Sequence, residues 1–328
     1  MASITLSQSS VLSQNELIQG VIENIITVNR MFEIVPFDGI EGNALAYNRE
    51  LVLGDAQFAG VDDAIIAKNA ATFTQVTSSL TTLLGDAEVN GLIQATRSNI
   101  NDQKAIQVAS KAKSVGRQFQ NTMINGTGSV VTATTGGTAI VGGTGTDFPG
   151  LLALCDVSQT LGVGQAQTGT AQVNGGALSF EDLDALIDLV VDKDGQVDYL
   201  TMQARTMRSY LSLLRQLGGA TIDSVVQLPS GAQVPAYRGI PIFRNDYIPV
   251  NQTVGTSTKC TTVFAGTLDD GSRSHGIAGL TAESEAGIQV VDVGESEFKD
   301  NNITRVKWYT GMACFSLKGL AMLNGVTN

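Results

Sequence analysis

Two β-competent runs flank an 18-residue polar connector near the start of this chain, and that pairing constrains the fold more than any other feature. Residues 44–53 alternate, with Leu45, Tyr47, Leu51 and Leu53 on one face and Arg49 interrupting it. The second run, 72–83 (TFTQVTSSLTTL), is rich in Thr and carries Val and Phe. Such content suits a pleated, half-covered surface. The connector, GDAQFAGVDDAIIAKNAA, is well beyond an ordinary hairpin loop. A two-stranded ribbon alone is at best marginally stable in water. A chain that makes one must rest it on something, and a neighbouring copy is the simplest support. This favours assembly over catalysis.

The 328 residues suffice for one large domain or two moderate ones. A hydrophobic fraction of 43% places the chain among folded proteins, and 16% charged residues is low against the usual quarter. Few charges with many Gly, Thr, Ser, Asn and Gln fit large buried areas between subunits, and equally a secreted β-rich protein. The net charge, 20 − 31 = −11, supplies few phosphate-neutralising side chains. DNA can therefore be enclosed but not gripped. Cys155, Cys260 and Cys314 lie far apart without CxxC spacing, so no disulfide framework is expected. The opening MASITLSQSSVLSQ lacks a basic then apolar leader, and no stretch is long and apolar enough to span a bilayer.

Further on, Ser13-Gln-Asn-Glu16 is a capping box for a helix with Leu17, Val21, Ile25 and Val28 on one stripe. Asp86 is expected to cap a helix running through Arg97. The spacing of Ala105, Val108, Ala112, Val115, Phe119 and Met123 predicts a helix over 101–124, closed by Asn125-Gly126. Its Lys104, Lys111, Lys113 and Arg117 fall off the stripe, on a solvated face. Residues 126–146 and 160–176 read as loops or irregular β. Ser179-Phe-Glu-Asp182 caps a helix with Leu183, Leu186, Ile187, Val190 and Val191 inward; strands are expected at 197–202 and 261–265, with a helix at Thr206–Leu217 between them. GIQVVDV, NITRVKWYTGMACFSL and GLAMLNGV read as one antiparallel sheet. Helices and antiparallel strands without βαβ alternation make the fold α+β.

Catalytic chemistry is not expected. His275 is the only histidine, in the polar turn GSRSHG, where a surface role is the usual one; a hydrolase would have to use it as base. Catalytic, cofactor-binding and metal residues are all expected to be absent. One His with scattered Cys does not suit zinc, GGTGTDFPG lacks the Lys-Ser/Thr of a phosphate loop, and DKDGQVD fails the calcium-loop register. Glu181, Asp182, Asp184 and Asp188 are expected on a solvated helix surface.

Taken in order, these parts resemble the major capsid protein of tailed bacteriophages, a fold shared with encapsulins. The resemblance covers nearly the whole chain. It is carried by PFDGIEGNALAYNRE before the loop, INGTG then FPGL after the long helix, AYRGIPIFRNDYIP, VFAGTLDDG, and EFKDNNITRVKWYTGMA. It implies an N-terminal arm (1–43), an extended two-stranded loop lying over a neighbour (44–84), and a peripheral domain around a spine helix (85–147). An axial domain (148–263) and a closing antiparallel sheet of the peripheral domain (264–328) complete it. It further implies pentamers and hexamers in an icosahedral shell around packaged double-stranded DNA, with portal, scaffolding and decoration proteins as partners and no membrane. The setting is a virion capsid assembled in the host cytoplasm, with any scaffold a separate protein. Encapsulin compartments and secreted β-rich surface proteins are the alternatives. Some relatives join the loop to a neighbour through a Lys–Asn isopeptide bond. Here Lys68 is the only basic residue between 50 and 96, and Asn301 and Asn302 lie at the leading turn of the sheet. No carboxylate matches as the assisting base, with Trp308, Tyr309 and Thr310 in its region, so no cross-link is expected.

Overall fold

The computed structural model describes residues 30–58, 60–61, 69–97, 102–134, 137–142, 145–163, 174–190, 196–216, 225–228, 231 and 233–327. The helix expected after Ser13 lies outside these residues, as do Lys68 and most of the DKDGQVD segment. In chain order the first elements are β1 (Phe37–Ile40), β2 (Ala44–Val52), β3 (Thr72–Ser79), β4 (Thr81–Asn90), α1 (Gly91–Arg97) and α2 (Gln103–Asn125). Next come β5 (Ser129–Thr134), β6 (Gly137–Gly142), α3 (Leu151–Leu154), β7 (Thr160–Gly162), α4 (Phe180–Leu189), β8 (Tyr199–Met202) and α5 (Ala204–Gln216). The rest is β9 (Val225–Gln227), β10 (Gln233–Tyr237), β11 (Ile240–Arg244), β12 (Gln252–Val254), β13 (Ser257–Gly266), β14 (Ile277–Ala282), β15 (Gln289–Ser296), β16 (Lys299–Cys314) and β17 (Leu320–Val326).

These strands make three sheets. The first is built on the 16-residue β16, with β14 and β15 in tandem along one edge, β4 along the other, and β1 outside β14. Helix α2 packs across this sheet and begins where Asp102 accepts from the amides of Lys104 and Ala105 at 3.0 and 3.3 Å. Those bonds satisfy two of the first-turn donors. Only the C-terminal half of the expected stripe enters the core: Val115, Phe119 and Met123 are buried, Val108 is half-buried and Ala105 is exposed. Phe119 meets Trp308 of β16 at 4.5 Å between ring centroids, Phe148 at 5.3 Å and Phe37 at 5.7 Å. Offset aromatic contacts of this kind add to plain area burial.

Gly126 ends α2 by donating to Thr122 O at 2.7 Å, and Gly150 N then donates to Gly126 O at 3.0 Å. A Cβ on Gly126 would lie 2.1 Å from Phe148 O. The INGTG and FPGL motifs therefore form one backbone crossing that only glycine permits.

The second, eight-stranded sheet runs β7-β17-β13-β8-β11-β10-β9, with β12 added on β13. Leu183 and Leu186 of α4 and Tyr210 of α5 share its core with Leu200, Ile242 and Val263. Strand β17 belongs here, paired with β13, rather than with the tail sheet expected from sequence. The chain turns back at Leu317–Gly319, so β17 leaves the line of β16.

The third sheet, β2-β3-β5-β6, corrects two expectations. Part of the segment read as loop or irregular β at 126–146 is a regular hairpin, and β5 pairs with β3 from Thr74↔Thr134 to Thr77↔Val131. The base of the ribbon is thus four-stranded and supported by its own chain. The helix expected after Asp86 is short, because 81–90 is strand β4 paired with β16 over its full length. No helix among the described residues is long and apolar enough to cross a membrane.

Candidate functional site: an apolar ribbon reaching beyond its own chain

Leu45, Tyr47 and Arg49 share the body-facing side of β2, as period-two alternation requires. Tyr47 Oη donates to Cys314 O at 2.8 Å, and its ring meets Phe315 edge-on at 5.1 Å. Arg49 Nε donates to Phe315 O at 2.9 Å, and its terminal nitrogen donates to Cys314 O. Strand β16 ends at Cys314, so these carbonyls lie at the end of its ladder and take side-chain donors. The residue that interrupts the apolar pattern is the clasp holding the ribbon to the body. The same burial raises Tyr47's hydroxyl pKa, and burial pushes the Cys314 thiol up to about 11.

Past Glu50 a register shift breaks the β2–β3 ladder, and the chain leaves the body. Leu51, Val52, Leu53, Phe58, Val61 and Phe73 are all exposed there, Leu53 at 73% and Phe58 completely. The two arms of the connector are tied by Asn69 Nδ2 donating to Asp55. Isolated exposed apolar residues are ordinary, but six within one short segment make it a candidate interaction site.

A second such surface lies on β15, which pairs with β16 on one edge and with no described strand on the other. Ile288, Val290, Val291, Val293 and Phe298 are exposed along this edge and its turn. Lys104 of α2, expected to be solvated, donates to Asp292 beside them at 2.9 Å, and its ammonium holds Asp292's carboxyl below the usual range.

The other residues weighed from sequence fall as follows. Asn301 and Asn302 lie within strand β16, not in a turn, and Asn301 is buried, with Nδ2 3.5 Å from Glu88 Oε2. Glu88 lies on β4, in register with Ile303 of β16, while Asn302 faces Val89. Asp182 is buried, not solvated: it completes a capping box with Ser179, whose Oγ accepts from Asp182 N at 3.1 Å. Asp184 accepts from Tyr237 Oη at 2.9 Å and from Arg238, while Glu181 and Asp188 are exposed as expected. His275 is buried in the turn between β13 and β14, where a surface position was expected.

No family model and no curated protein matches this sequence. Solved structures do. The SrpI encapsulin of Synechococcus elongatus, in its holo complex, has a TM-score of 0.66 at 16% identity, over 99% of this chain and 96% of that one. The capsid of cyanophage A-1(L) gives 0.65 at 13% identity, over 99% of this chain and 100% of that one. This is the phage-capsid and encapsulin fold. The capsid of the native GTA particle shares it at a TM-score of 0.64 and 10% identity, over 99% of both chains.

Proposed function

We propose that this chain is a shell subunit, the major capsid protein of a tailed phage. It assembles as pentamers and hexamers into an icosahedral head around packaged double-stranded DNA and has no enzymatic role. The observation that carries this reading is the distal ribbon, whose six exposed apolar residues find no cover in the described chain. Full burial of such a side chain stabilises by about 1.5–3 kcal/mol, so six of them can offset much of the ~4–15 kcal/mol cost of association. Ring contacts of this kind are heterologous, one surface meeting a different one on the next copy, and close by rotation.

On this reading residues 1–43 are the arm, 44–84 the loop over a neighbour, and 85–147 with 264–328 the peripheral domain. Residues 148–263 gather at the symmetry axes. Portal, scaffolding and decoration proteins would complete the virion in the host cytoplasm. The likeness to SrpI supports a second reading, an encapsulin compartment.

Electron microscopy of the purified chain tests the proposal. Closed shells of uniform diameter are expected, and Leu53→Asp with Phe58→Asp should leave unassembled subunits of unchanged circular dichroism. Co-purified DNA then favours the phage reading and enclosed protein the encapsulin reading. A wild-type chain that stays monomeric, with residues 50–73 resistant to protease, would overturn both.

A further inference from the structure

The turn from Leu268 to Gly276 gathers Asp269, Asp270 and His275. One carboxylate oxygen from each aspartate and one imidazole nitrogen all lie within 4.8 Å of one another. His275 is 9% exposed and Asp269 7%, while Asp270 faces solvent. Among the described residues, the imidazole's hydrogen-bond contact is between Nδ1 and Ser274 Oγ, at 3.2 Å. Where that hydroxyl accepts from Nδ1–H, the lone pair is left on Nε2. A largely buried imidazole set against two carboxylates is a donor set suited to a cation.

The turn is already shaped without one. Gly271 N and Arg273 N each donate to Asp269 at 3.1 Å, and Ser272 N donates to Asp270 Oδ1 at 2.9 Å. A carboxylate oxygen has more than one lone pair, so these bonds leave acceptor capacity. Arg273 donates to Asp38 Oδ2 at 2.5 Å and to Gly39 O at 3.1 Å, and its charge also acts on Asp269, which a bound cation would have to share with it.

We propose that Asp269, Asp270 and His275 bind one divalent transition-metal ion of the Zn2+ class. Imidazole with carboxylates suits such an ion, whereas Ca2+ and Mg2+ prefer all-oxygen sets. Three protein ligands leave a fourth position for water. Zinc–ligand bonds are ~2.0–2.2 Å, so the ligands draw closer on binding.

The turn also braces the ribbon. Arg273 holds β1, which leads into β2, and Gly276 O accepts from Phe315 N at 2.9 Å, the residue against which Tyr47 packs. A bound ion would stiffen both supports. This inference goes beyond the shell reading and does not rest on it.

The test uses the tag-free full chain, stripped with a chelator and titrated with Zn2+ in a calorimeter. One ion per chain and a raised thermal midpoint are expected. His275 is the sole histidine, so a single imidazole NMR signal should shift with the same stoichiometry. His275→Gln and Asp270→Asn should each lose the heat and the midpoint rise while keeping the metal-free midpoint. Asp270→Asn, on the surface, keeps the comparison valid if His275→Gln misfolds. Wild-type protein without heat or imidazole shift, undiminished binding in Asp270→Asn, or an equal response to Mg2+ would each overturn the site.

Discussion

Arg49 sits where the alternation of β2 fails, and the failure marks the point at which the ribbon parts from the body. Its guanidinium is a fork of donors, and two carbonyls at the end of β16 fill it. Arg49→Ala should therefore loosen the ribbon base by about 1.5–3 kcal/mol, the range for hydrogen bonds to a charged group. Hydrogen exchange of residues 44–50 should quicken while that of 115–124 stays as it was. Unchanged exchange across 44–50 would mean the clasp holds nothing. The sequence could show that Arg49 was out of pattern, but its partners are 265 and 266 residues away and no local rule reaches them. Asp182 is the converse case. Its capping box with Ser179 spans three residues and is readable locally, yet counting it among the helix carboxylates hid it behind a solvated face.

Among elements, those set by their own periodicity were legible: α2, α4, α5 and strands β8 and β13 fall within a few residues of where the pattern put them. Those set by distant pairing were not. Residues 81–90 hold Asp86 and Val89 at helix-like positions, but ten cross-strand pairs with β16 outweigh that weak preference. One of those pairs places Asp86 opposite Arg305, and two of the guanidinium nitrogens reach the carboxylate at 2.8 and 2.9 Å. Arg305 holds the Asp86 carboxyl below its usual range. A depressed carboxyl stabilises the fold fully above its unfolded pKa of ~3.9, and that contribution is lost as pH falls through the folded value. Asp86→Asn should thus be less stable than wild type in urea at pH 7, with the gap closing below about pH 4. Equal stability of the two proteins at pH 7 would show that the pair does not secure the β4–β16 seam.

At the scale of the whole molecule two tendencies compete. Exposed apolar surface on the distal ribbon and along β15 favours contact between copies, while each copy carries a net charge of −11. The first is nearly independent of modest salt; the second is not. The screening length falls from ~30 Å at 0.01 M to ~8 Å at 0.15 M, so repulsion between whole subunits fades while ion pairs within a contact weaken far less. Assembly of purified subunits, followed by light scattering, should accordingly be faster and more complete at 150 mM salt than at 10 mM. Were association instead guided by complementary charged patches, added salt would slow it. Slower assembly at the higher salt would therefore remove the apolar ribbon from its leading role and move the search to charged surfaces.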